Sequence, residues 1–321
     1  RRVVTAISGA VNLPLQIDSS NPAAIEAGLR AAPGKCLINS VNASESSLQT
    51  VLPLAKKYGA AVVGLALGES GLPSTSDERM AFAQKIVNAA AELGIPREDI
   101  AIDCLTLTVS AQQGQVRQTL EAVRRVRTEL GLETVLGVSN ISFGLPQRAI
   151  VTQTFLTQAI LAGLTLPIIN PNIREMMDAV DACRVLSGED AGCAAYIERH
   201  APTADVKPKE VEGAKLSIRE SIAKGLKAES AAAARELLET MTPLELVEKE
   251  LIPALDAVGE QYERQQIFLP QLMNAATASG AAFDEVKRAI EKQGASGEGK
   301  GPIVLATVEG DIHDIGKNIV K

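Results

Sequence analysis

From residue 1 to about 200, short apolar runs rich in β-branched residues alternate with longer stretches whose apolar positions recur at helical spacing. The runs cover 15–18, 36–41, 61–67, 100–105, 134–139 and 166–170, and the helical stretches 23–31, 44–58, 77–93, 114–130 and 150–162. Strands that read as continuous apolar runs are buried on both faces. Alternated with helices, they predict a parallel sheet with right-handed crossovers, either doubly wound or closed into a barrel.

Polar residues decide between these two. They gather where the runs end: Asp18-Ser19-Ser20, Asn39-Ser40, Asp103, Ser139-Asn140 and Asn170. A (β/α) barrel builds its site at that rim from several strands. A doubly wound sheet would be expected to carry a glycine-rich phosphate turn after its first strand, and none stands there. The fold class is therefore α/β, a (β/α)8 TIM barrel. Six runs stand where a closed barrel needs eight, so the chain is expected to lack the first strand–helix units, with 1–11 as the tail of a preceding helix.

Beyond His200 the pattern changes. Residues 201–211 carry prolines and charges with no period and read as a linker. Helical spacing then runs to about residue 292, broken at Gly225-Leu226-Lys227, Thr242-Pro243 and Leu269-Pro270. Thr242-Pro243 followed by Glu245 and Glu248 is a helix start, and about four helices predict a small bundle. Residues 294–301 (GASGEGKG) form a connector, 302–308 a buried strand and 309–316 a polar loop. The expected division is 1–205, 206–293 and 294–321.

Composition narrows the class of function. Apolar residues make up 46% and aromatics only 2%, with no Trp, so the core is built from Ala, Val, Leu and Ile, which suits helices packed on a parallel sheet. A net charge of −7 argues against nucleic acid, since phosphate binding needs a cationic face. No apolar run approaches a membrane span of about 20 residues and no signal peptide opens the chain, so no membrane partner is expected. Cys36, Cys104, Cys183 and Cys193 form no C-x-x-C pair, which fits a reducing, cytoplasmic setting.

The most specific motif is Asp311-Ile312-His313-Asp314-Ile315-Gly316, directly after the last strand. A loop histidine can offer one imidazole nitrogen to a metal while a carboxylate accepts a hydrogen bond from the other, fixing the tautomer and raising basicity. Asp311 is placed to be that carboxylate, and Gly316 leaves room for a bulky ligand to approach the backbone.

The segment VEGDIHDIGKNIV resembles the D-x-H-x-x-G signature of the cobalamin-dependent methionine synthase family. The resemblance implies cobalamin as cofactor, carried as methylcobalamin, with His313 the ligand to cobalt, Asp311 tuning it, and Gly316 in the same binding loop. It makes residues 294–321 the start of a Rossmann-like cobalamin-binding domain. Residues 258–262 (VGEQY) and 267–271 (IFLPQ) resemble that family's helical cap, with Tyr262 and Leu269 where it places bulky lid residues, although Phe is common at the first. An apolar lid keeps water and oxygen from a reduced metal centre.

In the barrel, 14–20 (PLQIDSS), 34–41 (GKCLINSV), 101–108 (AIDCLTLT) and 137–146 (GVSNISFGLP) resemble methyltetrahydrofolate-binding methyltransferases. The resemblance implies that Asp18, Asn39 and Asp103 grip the pterin edge and that Asn140 stands beside the nitrogen carrying the methyl group. An Asn carbonyl oxygen there accepts a hydrogen bond from that nitrogen once it is protonated, favouring the better leaving group. Arg148 either meets a folate carboxylate tail or faces solvent. Gly68-Glu69-Ser70 stands where relatives often carry Asp-Glu, which removes one acidic rim position.

The implied activity is methyl transfer from 5-methyltetrahydrofolate to cob(I)alamin and, in an intact protein, onward to homocysteine. Homocysteine and zinc would belong to a domain ahead of residue 1. Three alternatives stay open: a methyltransferase serving a separate corrinoid protein, a dihydropteroate synthase, and a cobalamin sensor that only binds.

Overall fold

The computed structural model describes residues 1–201 and 216–292, which fall into two compact units divided between Glu189 and Asp190. That boundary precedes the one expected at 205, because the helix Ala194–His200 belongs to the second unit.

The first unit carries a six-stranded sheet: β1 (Gln16–Asp18), β2 (Leu37–Asn42), β3 (Ala61–Leu65), β4 (Ile100–Asp103), β5 (Glu133–Gly137) and β6 (Leu166–Ile168). Every pairing is parallel and the order is β1-β2-β3-β4-β5-β6. Strand order in a doubly wound sheet reverses at a switch point. Here it never does, and that one-directional winding is the barrel's. The helices between and around the strands are α1 (Arg2–Ala10), α2 (Pro22–Leu29), α3 (Glu45–Tyr58), α4 (Ser76–Glu92), α5 (Gln115–Arg125), α6 (Arg148–Ala162) and α7 (Arg174–Leu186).

Period-two alternation divides the strand side chains between two layers. Ile38, Val62, Ile102 and Leu136 join the main core with Ile25, Leu52, Ile86, Val123 and Leu156 from the helices. Val63, Ala101 and Val135, with Leu37, form a separate small cluster.

Local chemistry sets the helix ends. Asn21 caps α2 ahead of Pro22, Ser44 caps α3 by accepting from the Ser47 amide, and Thr75 caps α4 by accepting from the Glu78 amide. Helix α3 stops at Gly59, whose φ of 63° is the left-handed conformation that ends helices. All six expected strands form. The stretch expected as a strand to 139 instead ends at Gly137 and tightens into a 3₁₀ turn, Val138–Ser142. Helix α7 lies beyond the elements the apolar pattern predicts, since charged residues interrupt its buried stripe of Met176 and Ala179.

The second unit contains α8 (Ala194–His200), α9 (Ile218–Ala223), α10 (Lys227–Leu237), α11 (Pro243–Leu246), α12 (Ile252–Glu263) and α13 (Leu269–Lys292). A π turn, Val247–Leu251, joins α11 to α12. Ser217–Glu220 and Thr242–Glu245 are reciprocal capping boxes that start α9 and α11. Leu269-Pro270 opens α13, where a proline costs no intrahelical bond. The core joins Ile218 and Ile222, Ala234, Leu246 and Leu251, Ala254 and Val258, and Ala275, Ala282 and Val286. Small residues let α9, α10 and α13 approach closely: a Cβ on Gly225, between α9 and α10, would sit 2.6 Å from that of Asn274.

The expected connector and strand at 294–308 and the D-x-H-x-x-G loop lie outside the described residues. Among the described residues no helix is long and apolar enough to cross a membrane.

Candidate functional site

The parallel sheet sends all its strands' C-terminal ends to one edge, where the candidate residues stand. Asp18 closes β1 and lies in register with Asn39 of β2. Their side chains meet, the Asn39 Nδ2 donating to Asp18 Oδ2 at 3.4 Å, and the Ser19 amide donates to the Asn39 carbonyl at 3.1 Å. Past Asn39 the register between β2 and β3 shifts. Asp18, Ser19, Ser20, Asn39 and Ser40 line a cavity of about 480 Å³.

Asp103 closes β4, opposite Leu65 of β3. Its Oδ1 accepts from the Leu105 amide at 2.8 Å. Burial pushes the carboxyl up to about 6, partly opposed by that amide. At neutral pH it is therefore mainly ionised, an acceptor-only group with one oxygen already used by its own turn.

Asn140 stands in the 3₁₀ turn just past β5. Its carboxamide lies over Gly137, where an added Cβ would come within 3.0 Å of Nδ2. No side-chain hydrogen bond joins it to another described residue, so both its donor and its acceptor are open to a ligand. The turn itself is held firmly. Arg148 donates from Nε to Ser142 Oγ at 3.0 Å and from Nη2 to the Ser139 carbonyl at 2.8 Å, and lies 4.4 Å over the Phe143 ring. Thr108 and Ser110 both donate to the Phe143 carbonyl, and the Val109 amide to that of Ile141. The loop after β4 thus braces the loop after β5. Arg148, Phe143, Ile168, Asn170 and Met176 line a second cavity of about 420 Å³ at this end of the edge.

The fold thus brings Asp18 against Asn39 and Arg148 against the Asn140 turn. Asp103 and Asn140 line neither cavity. Glu69 serves the fold: its Oε1 accepts from the Glu45 amide at the start of α3. The sequence reading missed Arg79, buried behind the Asp103 turn, although it falls on the α4 stripe with Ala83, Ile86 and Ala90.

Residues 1–170 match the family model described as pterin binding enzyme. The chain belongs to the pterin-binding enzyme family. Residues 217–287 of this pterin-binding enzyme match a second model, described as B12 binding domain. The methionine synthase of Mycobacterium tuberculosis (strain ATCC 25618 / H37Rv) is 30% identical over 350 aligned residues, covering 100% of this chain and 29% of that protein. That of Mycobacterium leprae (strain TN) is 30% identical over 341, covering 96% and 28%. The chain therefore spans less than a third of the curated relatives it matches. The expected likeness to methionine synthases runs along its whole length. Among solved structures, the 7,8-dihydropteroate synthase of Vibrio fischeri ES114 aligns with a TM-score of 0.49 at 18% identity, over 59% of this chain and 73% of that one. The Yersinia pestis dihydropteroate synthase aligns at 0.48 and 17%, over 58% and 77%.

In the part of this pterin-binding enzyme that matches the B12-binding model, Tyr262 near the end of α12 is 40% exposed and Leu269 at the start of α13 is 37% exposed. Neither joins the unit's core cluster. Asp311, His313 and Gly316 lie outside the described residues.

Proposed function

We propose that this pterin-binding enzyme transfers the methyl group of 5-methyltetrahydrofolate to cobalamin and that, in the longer protein, homocysteine is the final acceptor, in the cytoplasm. The reading is carried by one observation: polar side chains at neighbouring parallel strand ends share a chain with a segment matching a B12-binding domain. A pterin edge alternates amine donors and carbonyl or ring-nitrogen acceptors. Asp18 and Asp103 accept from the donors, and Asn39 supplies both kinds of partner.

Asn140 acts at the reacting nitrogen, N5. A proton on N5 makes the methyl-bearing nitrogen cationic, and the Asn140 Oδ1 accepts the hydrogen bond from that N–H. As the methyl departs, the electron pair of the broken C–N bond returns to N5, which keeps its proton and becomes a neutral secondary amine. The Arg148 clamp on Ser139 and Ser142 holds that carboxamide in place beforehand. Donors that Arg148 leaves unspent would meet the carboxylate of the folate tail.

The chemistry of the helical unit fits cobalamin. Tyr262 and Leu269 present apolar surface outside the core, as a cover that excludes water requires, and His313, Asp311 and Gly316 would help to hold the group. When bound, reduced cobalamin supplies the nucleophile. The test is to mix full-length protein with 5-methyltetrahydrofolate and cob(I)alamin and follow the corrinoid spectrum. We expect methyl transfer, slowed about 100-fold in Asn140→Ala. No transfer by the native protein, or an unchanged rate in the variant, would overturn the reading.

A further inference from the structure

Arg79 is the largest fully buried side chain among the described residues, with 1% of its surface exposed. Among the described residues it makes no ion pair. Burial lowers its pKa, yet a guanidinium stays protonated in a protein, so a full charge is held there whose hydrogen bonds all go to neutral oxygens. A Met or Leu would fill the same volume without that cost. What a guanidinium adds is a rigid fork of donors with fixed directions.

The three acceptors show where the fork is aimed. Nε donates to the Cys104 carbonyl at 2.8 Å, Nη1 to the Thr75 carbonyl at 3.2 Å and Nη2 to Gln115 Oε1 at 3.1 Å. Gln115 in turn donates to the Ser74 carbonyl at 2.9 Å, and the Ser76 amide donates to Gln118 at 2.7 Å. One buried side chain therefore ties the loop before α4 to the start of α5 and to the backbone immediately after Asp103.

That backbone needs holding. Leu105 has a φ of 62°, a left-handed conformation a branched residue rarely adopts unless its surroundings impose it. Asp103 grips the Leu105 amide, Thr119 donates to its carbonyl at 3.3 Å, and Arg79 fixes the peptide between them.

We propose that Arg79 is a positioning residue of the pterin site, holding the Asp103-Cys104-Leu105 turn so that the Asp103 carboxylate keeps its second oxygen aimed at the ligand. The inference rests on the pterin reading of the site, and Arg79 touches no substrate. It acts through Asp103, so the two effects must not add.

The test measures 5-methyltetrahydrofolate affinity by titration calorimetry in the full-length protein, for Arg79→Met, Arg79→Lys, Asp103→Asn and the pairs with Asp103→Asn. We expect Arg79→Met to weaken binding about 10- to 100-fold and to move the pH midpoint of binding. Arg79→Lys, which keeps the charge and loses the fork, should be weakened several-fold. Each Arg79 variant should add almost nothing on top of Asp103→Asn. A purely structural role would lower Tm while leaving affinity and midpoint of the folded protein alone. Unchanged affinity in folded Arg79→Met, or in Arg79→Lys should the Met variant not fold, overturns the proposal, as does full additivity with Asp103→Asn. Failure of the native protein to bind the folate would instead overturn the pterin reading itself.

Discussion

The two units carry their candidate chemistry in opposite ways. In Arg1–Glu189 the candidate groups are short polar side chains at strand ends, and sheet register brings Asp18 and Asn39 into contact. In the helical unit they are large side chains, Tyr262 and Leu269, left outside the core on two helices. The first is a site built by backbone geometry and braced by hydrogen bonds between loops. The second is a surface, and what it can cover depends on the packing of the helices beneath. Substitutions should therefore separate aim from stability in the barrel and surface from core in the bundle.

The largest expected effect tests whether the two are built separately. Leu246 is fully buried in the bundle core. Leu246→Ala should cost about 2–5 kcal/mol and melt the helical unit first, with folate binding by the barrel retained; a calorimetric scan with and without folate reads both. Loss of folate binding together with the bundle would break the comparison.

Asp103 comes next. Its folded pKa of about 6 lies above its ordinary value of 3.8, so the folded protein keeps a proton that the unfolded chain releases between those values. Stability from this group is present below about pH 4, falls as pH rises through the window, and stays reduced above about 6. Asp103→Asn should be more stable than the native protein by about 1–3 kcal/mol at pH 7.5 and gain little at pH 4, read from denaturant melts. The same variant should lose folate affinity, and with it the native rise in affinity as pH climbs past 6. A stability difference between variant and native protein that is the same at both pH values would place no buried carboxylate at this strand end.

A smaller effect sharpens the bundle side. Thr242→Ala removes the capping box of α11 and should cost about 1 kcal/mol by thermal melt, without altering folate binding. The smallest stability effect belongs to the proposed cover: Leu269→Ala, at a partly exposed position, should shift stability by less than about 0.5 kcal/mol. It should nonetheless speed oxidation of the bound reduced corrinoid, followed by absorption. A large loss of stability with no change in oxidation would make Leu269 a core residue.

Much of this was legible in the chain itself. Strand and helix positions follow from apolar spacing, and the Thr242–Glu245 start followed from residues three apart in sequence. Asp18, Asn39, Asp103 and Asn140 stood out because polar residues interrupt apolar runs at their ends. Helix α7 was hidden by interleaved charge. Arg79 was visible on the apolar stripe of α4, but a lone Arg on such a stripe carries no sign of what it holds.

The amino-acid order alone determined the parallel winding, the change to an all-helical second unit and the residue types at the strand ends, because hydrophobic periodicity and capping are local properties. Only the tertiary structure decided that Asp18 touches Asn39, that Arg148 turns back onto Ser139 and Ser142, and that Arg79 grips the peptide behind Asp103. The first and last join strands and helices far apart in the chain, and the Arg148 contacts, though closer in sequence, need the turn after β5 folded back on α6. Their geometry depends on strand register and loop packing, which no nearby stretch of sequence encodes.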